Sequence, residues 1–211
     1  MSHDSNAGFC TLWPTLFLHR NIAGSSDANR HIKKLVLERE KANARLTSDY
    51  ASYNLFEIDH PVVAWLKQCV NKTVADYLNR QGLGYPVHWN LQGWANVNRN
   101  GDYHNVHNHP HSYLSGTYYV VVPSGWPPRA GRDDVNPGAI SFFDPRPQAN
   151  MNAIAGDGQV EAEHRIDPAA GDILLWPAFL HHFVHPNLSD ELRISISFNI
   201  MLKPSPEQLP T

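Results

Sequence analysis

Apolar residues in the first part of the chain recur at the three- and four-residue spacing of amphipathic helices. Residues 25–27 offer N-cap chemistry, and the pattern after them predicts a helix from about Asp27 into the mid-forties. A second, stronger pattern begins with Pro61 at the first helical position and stops near Gly82 and Gly84. We expect this second helix to pack on the outer face of a sheet.

After residue 84 the pattern changes to short β-branched and aromatic runs separated by Gly, Pro, Asn and Asp. An earlier apolar run, residues 9–18, is interrupted by Pro14 and is predicted to be an extended segment or edge strand before a loop at residues 20–26. Eight further strands are predicted, at residues 87–91, 93–98, 115–122, 139–143, 160–165, 172–176, 181–185 and 193–201. Helices followed by short strands favour an α+β, mainly β fold of the sandwich or jelly-roll type.

The bulk properties of the chain exclude several classes of partner. Its 211 residues suit a single domain, divided here into helical support (1–84), a β core (85–203) and a tail (204–211). The net charge of −3 and the absence of Lys/Arg runs argue against nucleic acid binding. There is no signal-peptide pattern or membrane-length apolar run, and there are only two cysteines, so a cytoplasmic protein is expected.

The 13 histidines are clustered, and the first cluster lies at residues 104–111. His107 and His109 are two residues apart, so on a strand their side chains would share one face. Two imidazoles in this arrangement suit Fe, Zn, Cu or Ni. His104 has the opposite parity, and Pro110 separates His111 from the pair. By itself, this pattern fits two partly exposed histidines of an Asn-rich loop equally well.

A second histidine cluster follows the strand predicted at residues 172–176. If strand pairing brings His182 beside His107 and His109, three imidazoles cap one face of a metal and leave its other positions open. His181 and His185 flank His182 and are expected to support the ligands or to lie at the rim of such a site, rather than to bind the metal.

Polar and apolar residues alternate from Arg193 to Asn199 in the last predicted strand. Its polar face would line a pocket or face solvent, and the sequence leaves both options open. In a pocket, the planar guanidinium of Arg193 could grip a carboxylate with two parallel hydrogen bonds, and Ser195 could add a third. The polar face consists of Arg193, Ser195, Ser197 and Asn199.

Taken in order, these motifs resemble the Fe(II)- and 2-oxoglutarate-dependent oxygenases, most closely a bacterial and phage branch usually labelled "putative 2OG-Fe(II) oxygenase". The resemblance spans about residues 87–201 and implies a double-stranded β-helix, a cupin-like jelly roll, behind the two predicted helices. The matching motifs are Trp94-x-Asn96, His107-x-His109-Pro110, residues 115–120, 140–146 and 171–177, His182-x-Val184-x-Pro186, and residues 193–199.

The resemblance also implies roles for single residues. His107 would be the first metal ligand, His182 the distal ligand, and Arg193 the partner of the C5 carboxylate of 2-oxoglutarate. Ser195 matches the second polar position beside Arg193, and Tyr119 matches a tyrosine that touches the same carboxylate. The predicted lining of the substrate pocket consists of Trp94, Asn96 and Asn199.

One position departs from the wider superfamily, which has H-x-D or H-x-E at the first ligand pair. Here the third ligand would be His109, giving three neutral imidazoles around Fe(II). The alternatives are a site completed by another carboxylate, such as Asp102, or a site that binds metal without turnover.

The sequence thus predicts a 2-oxoglutarate-dependent dioxygenase with Fe(II) that hydroxylates an unidentified small molecule or peptide and releases succinate and CO2. One alternative is a three-histidine cupin-type dioxygenase or isomerase that does not use 2-oxoglutarate, in which Arg193 binds the substrate's own carboxylate. Another is a non-catalytic binding module. No nucleic acid or membrane partner is expected, and a homodimer is left open. Residues 124–138 and 145–158 would line the substrate pocket.

Overall fold

The computed structural model describes residues 13–83, 85–126, 132, 134–146, 157 and 161–203. Helix α1 spans Ser25–Ala42 and begins after Gly24, whose φ of 72° places it in the left-handed region. The prediction that a side chain of residues 25–27 caps this helix is therefore wrong, since Gly24 is the N-cap residue and no described side chain makes a capping hydrogen bond there. Helix α2 spans Pro61–Arg80, with Pro61 in its first turn as predicted. Neither helix is long and apolar enough to cross a membrane.

Nine strands lie within the described residues: β1 (Leu18–Asn21), β2 (Trp89–Asn98), β3 (His104–His107), β4 (Leu114–Val121), β5 (Ile140–Phe143), β6 (Glu163–Ile166), β7 (Asp172–Pro177), β8 (His182–Val184) and β9 (Arg193–Leu202). They form a five-stranded sheet in the order β1-β7-β4-β9-β2 and a four-stranded sheet in the order β3-β8-β5-β6. Every pairing is antiparallel. The mainly β, jelly-roll prediction is confirmed.

Three strand predictions need correction. Strand β2 replaces two predicted strands because Gly93 does not end a strand; it makes room for the ring of Phe56, which a Cβ there would overlap. Strand β1 starts only at Leu18 and runs into the predicted loop, because Leu18–Asn21 pairs with β7. Strand β3 was not predicted, because its sequence HNVH lacks the alternation typical of strands.

Parts of other predictions lie outside the described residues. These are residues 9–12 of the first apolar run, Gly84 after α2, residue 160 of a predicted strand, most of the segments 127–133 and 147–158 of the predicted pocket loops, and the tail 204–211.

The main hydrophobic core lies between the helices and the outer face of the five-stranded sheet. The apolar face of β9 is fully buried there, and it shares a cluster with the apolar face of α2, which includes Leu66 and Val70. Helix α2 therefore has the supporting role that its periodicity predicts. The opposite, polar face of β9 turns towards the four-stranded sheet. The apolar residues of β9 in this core are Ile194, Ile196, Phe198 and Ile200.

Candidate active site

Three histidines converge where β3 meets β8. His107 ends β3, His182 begins β8, and the two are paired in the strand register. His109 follows two residues after His107. One ring nitrogen from each of the three lies within 4.8 Å of the others. Among the described residues, this is the one group of three or more side chains able to hold a metal ion.

A loop, rather than a shared strand face, brings His109 into this group. Strand β3 ends at His107, so the parity argument for His109 is wrong. The His109 backbone N–H instead donates to the carbonyl of Ala178 at 3.0 Å. This bond ties the loop to the turn after β7. It leaves the His109 ring centroid 5.2 Å from that of His182 and 5.9 Å from that of Trp94.

Backbone carbonyls fix the orientation of two of the rings. His182 Nδ1 lies 3.0 Å from the carbonyl oxygen of Leu180, and His107 Nδ1 lies 2.6 Å from that of Asn105. Because a carbonyl oxygen only accepts, each Nδ1 carries the proton and each Nε2 keeps its lone pair. Support of this kind is typical of metal-binding histidines. Both rings thus leave Nε2 free to bind a metal.

Burial keeps His109 and His182 uncharged. It lowers the pKa of His182 to about 3 and that of His109 to about 4, and in both cases the neighbouring His107 lowers the pKa further. In the described part of the chain, no carboxylate belongs to the group. Asp102 lines the same cavity, but its Oδ2 accepts from the backbone N–H of Arg99 at 2.8 Å. The candidate donor set therefore consists of three imidazoles.

A cavity of about 900 Å³ joins the three histidines to the polar face of β9. At this face Arg193 is only 2% exposed, and no carboxylate among the described residues pairs with it. Its Nε has no hydrogen-bond partner. A buried cation without a counter-charge is costly, because no ion pair offsets the loss of its hydration. The polar face of β9 therefore lines a pocket and calls for an anion.

Tyr119 is the second unsatisfied group in this pocket. Within the described residues its buried hydroxyl makes no hydrogen bond of normal geometry. Arg193 lies beside it, with the guanidinium carbon 5.1 Å from the centre of the tyrosine ring. Burial raises the pKa of Tyr119 to about 12, although the charge of Arg193 opposes the shift. Burial lowers the pKa of Arg193, since in both side chains it disfavours the charged form. Together the two side chains offer unused hydrogen-bond donors to a carboxylate.

The remaining predicted residues lie on the same wall. Asn96 pairs with Ser195 in the β2–β9 register, and Ser195 pairs with Tyr119 in the β4–β9 register. Asn96 Nδ2 donates to Ser197 Oγ at 2.9 Å and lies 3.4 Å from Ser195 Oγ. The residues predicted for metal, co-substrate and substrate all line the one cavity: Trp94, Asn96, His107, His109, Tyr119, His182, Arg193, Ser195 and Asn199.

Sequence parity also misplaces His104. It pairs with Val184 while His107 pairs with His182, so three steps along β3 match two along β8. This bulge turns His104 and His107 to the same side, and the two residues between them are exposed. Burial and then the charge of Arg193 lower the pKa of His104 to about 4. No glycine marks the bulge, so the sequence gives no signal for it.

The family model described as "Putative 2OG-Fe(II) oxygenase" matches residues 92–199, just over half of the chain. The chain belongs to this family, an oxidoreductase class. The description names Fe(II) and 2-oxoglutarate, which confirms at the level of the family the two cofactors predicted from the sequence. A comparison with curated protein sequences gives no match.

Several solved structures share the fold at low sequence identity. A Pseudomonas putida prolyl-4-hydroxylase has a TM-score of 0.58 at 14% identity, covering 89% of this chain and 88% of that one. A Trichoplax adhaerens prolyl hydroxylase, in complex with a hypoxia inducible factor peptide fragment, has a TM-score of 0.56 at 15% identity, covering 88% and 83%. HygX from Streptomyces hygroscopicus, with nickel and 2-oxoglutarate bound, has 0.50 at 15%, covering 89% and 82%. These similarities establish the double-stranded β-helix fold.

Proposed function

We propose that this protein is a 2-oxoglutarate-dependent Fe(II) dioxygenase that hydroxylates a small molecule or peptide and releases succinate and CO2. One observation carries the proposal: a three-histidine group and a buried, unpaired arginine line the same cavity. The first is suited to a divalent metal and the second to a carboxylate, and an oxygenase of this family needs both.

The residues fit the cofactors by charge and by hydrogen bonding. His107, His109 and His182 would hold Fe(II), which with 2-oxoglutarate supplies the activation of oxygen. Because the imidazoles are neutral, the negative charge at the metal would come from the co-substrate. Arg193 would hold its far carboxylate through the guanidinium fork, helped by donors from other residues of the cavity. Those helpers would be Ser195 and Tyr119.

The rest of the cavity would orient the substrate. Trp94, Asn96 and Asn199 present an aromatic face and amide groups to the same space. The amide of Asn199 already accepts from Ser115 Oγ at 3.0 Å, which holds it in place. Enclosure by both sheets would keep water away from the reacting groups.

The test is anaerobic binding of Fe(II) and then 2-oxoglutarate, followed by visible absorption and thermal unfolding. We expect a weak charge-transfer band that is lost in His107→Ala and weakened in Arg193→Ala. His181→Ala is the matched control, since His181 is an exposed histidine next to His182, and it should keep the band. Absence of both the band and a 2-oxoglutarate-dependent thermal shift in the unaltered protein would contradict the proposal.

His109 favours a second candidate, the three-histidine cupin-type dioxygenase or isomerase, because it stands where the superfamily has a carboxylate. Oxygen consumption separates the two. A 2-oxoglutarate-dependent enzyme consumes oxygen only when 2-oxoglutarate is present and forms succinate in proportion. Turnover that proceeds without 2-oxoglutarate would support the second candidate.

A further inference from the structure

His104 and Asn98 line the cavity, and the proposed function gives neither of them a role. Asn98 is 3% exposed and pairs directly with Arg193 in the β2–β9 register, so the two side chains leave the sheet on the same face. His104 contacts Asn98 from β3, where the bulge turns it inward. Its ring centroid lies 6.5 Å from that of His107. His104 thus stands between the metal-binding group and the Arg193 end of the pocket.

In the orientation that the structure gives the Asn98 amide, its contact with His104 selects one tautomer of the ring. Asn98 Nδ2 lies 3.3 Å from His104 Nε2, and an amide NH2 group only donates. Nε2 therefore accepts, the ring is neutral, and the proton sits on Nδ1. In the described part of the chain Nδ1 has no hydrogen-bond partner. A neutral N–H donor is left available to the cavity beside Arg193.

We propose that His104 donates this hydrogen bond to the far carboxylate of 2-oxoglutarate and thereby selects 2-oxo acids that carry such a carboxylate. The inference rests on the proposed function. A neutral donor suits this position because it strengthens the binding of the carboxylate without placing a second positive charge beside a buried cation. Asn98 acts through His104 as a positioning residue, since it holds the ring in the donating tautomer.

The experiment titrates two 2-oxo acids into the Zn(II)-loaded protein by calorimetry, so that binding is measured without turnover. 2-Oxoglutarate has the far carboxylate and 2-oxobutyrate lacks it. In His104→Phe, which keeps a ring but removes the donor, we expect about tenfold weaker binding of 2-oxoglutarate, the size of a lost hydrogen bond to a charged group. The affinities for 2-oxobutyrate and Zn(II) should stay unchanged. His104→Gln retains an N–H donor and should recover part of the loss.

Two results would overturn the inference while leaving the proposed function intact. One is 2-oxoglutarate binding by His104→Phe and His104→Gln at the original strength. The other is an equal loss for both 2-oxo acids, which would place His104 at the metal end or in the packing of β3. If the unaltered protein fails to bind 2-oxoglutarate at all, the proposed function and this inference both fall.

Discussion

Two adjacent tyrosines on β4 point to opposite faces of the sheet, and their hydroxyl groups differ in hydrogen bonding. Tyr118 and Tyr119 are both fully buried. The hydroxyl of Tyr118 donates to Asn29 Oδ1 of α1, whereas that of Tyr119 faces the cavity without a partner. A satisfied hydroxyl stabilises the fold, and an unsatisfied one costs free energy unless a ligand completes it. Removing each hydroxyl in turn therefore distinguishes a group that stabilises the fold from a group that binds the ligand.

We expect Tyr119→Phe to leave the free energy of unfolding unchanged or to raise it by about 1 kcal/mol, because it removes a buried group without a partner. The same change should weaken 2-oxoglutarate binding to the metal-loaded protein several-fold. Chemical denaturation and ligand titration measure the two effects. Stability lost together with unchanged ligand binding would contradict the assignment of Tyr119 to the co-substrate pocket.

Tyr118→Phe is the matched control and should behave in the opposite way. It leaves Asn29 Oδ1 unpaired at a buried contact between α1 and β4, so we expect a loss of roughly 1–2 kcal/mol in the free energy of unfolding. Its 2-oxoglutarate affinity should be unchanged, since the side chain lies on the helix side of the sheet.

At the scale of elements, the centre of the five-stranded sheet depends on a glycine. Gly116 of β4 pairs with Leu175 of β7 and Phe198 of β9. A Cβ at Gly116 would lie 2.6 Å from the carbonyl oxygen of Leu174 and would overlap the ring of Phe198. Because one of these neighbours is backbone, the strands would have to shift to admit a methyl group.

We therefore expect Gly116→Ala to destabilise the protein by about 1–3 kcal/mol, the usual cost of overpacking a core. Gly125→Ala is the control, since nothing lies within 4 Å of a Cβ at that exposed glycine; its effect should stay within about 0.5 kcal/mol. Chemical denaturation compares the two variants. Equal free energies of unfolding for the two variants would contradict the close packing of β7 and β9 around Gly116.

The strands also show which parts of the fold a sequence reveals. The alternation in β9 predicts which of its two faces is buried in the core, because the residues of that face are all apolar. It does not predict whether the polar face lines a cavity or faces solvent. The bulge in β3 and the loop position of His109 leave no such trace. They depend on pairing with β8 and on a backbone hydrogen bond to Ala178, which are distant contacts. The structure brings the three predicted histidines together as a group that could hold a metal ion, although the strand geometry assumed for His109 and His104 was wrong.

At the scale of the whole molecule, the histidine group connects the edge strand β3, the loop that follows it and strand β8. Strand β3 is four residues long and lies at the edge of the four-stranded sheet, where β8 is its only partner among the described strands. A metal held by His107, His109 and His182 would cross-link this edge, the loop after it and β8. Any ion that binds only the folded chain stabilises it, and at a hundredfold excess over the dissociation constant the gain is about 2.7 kcal/mol.

Zn(II), which lacks redox chemistry, should therefore raise the unfolding temperature by roughly 5–10 °C for a chain of this length, and a chelator should reverse the rise. Amide hydrogen exchange should slow most in β3 and at residues 108–112, because the ion restrains the edge strand rather than the already buried centre of the other sheet. His182→Ala should abolish both effects, and His181→Ala should keep them. A Zn(II) shift of full size in His182→Ala would show that the ion binds elsewhere and would remove the structural basis for an iron site between the two sheets.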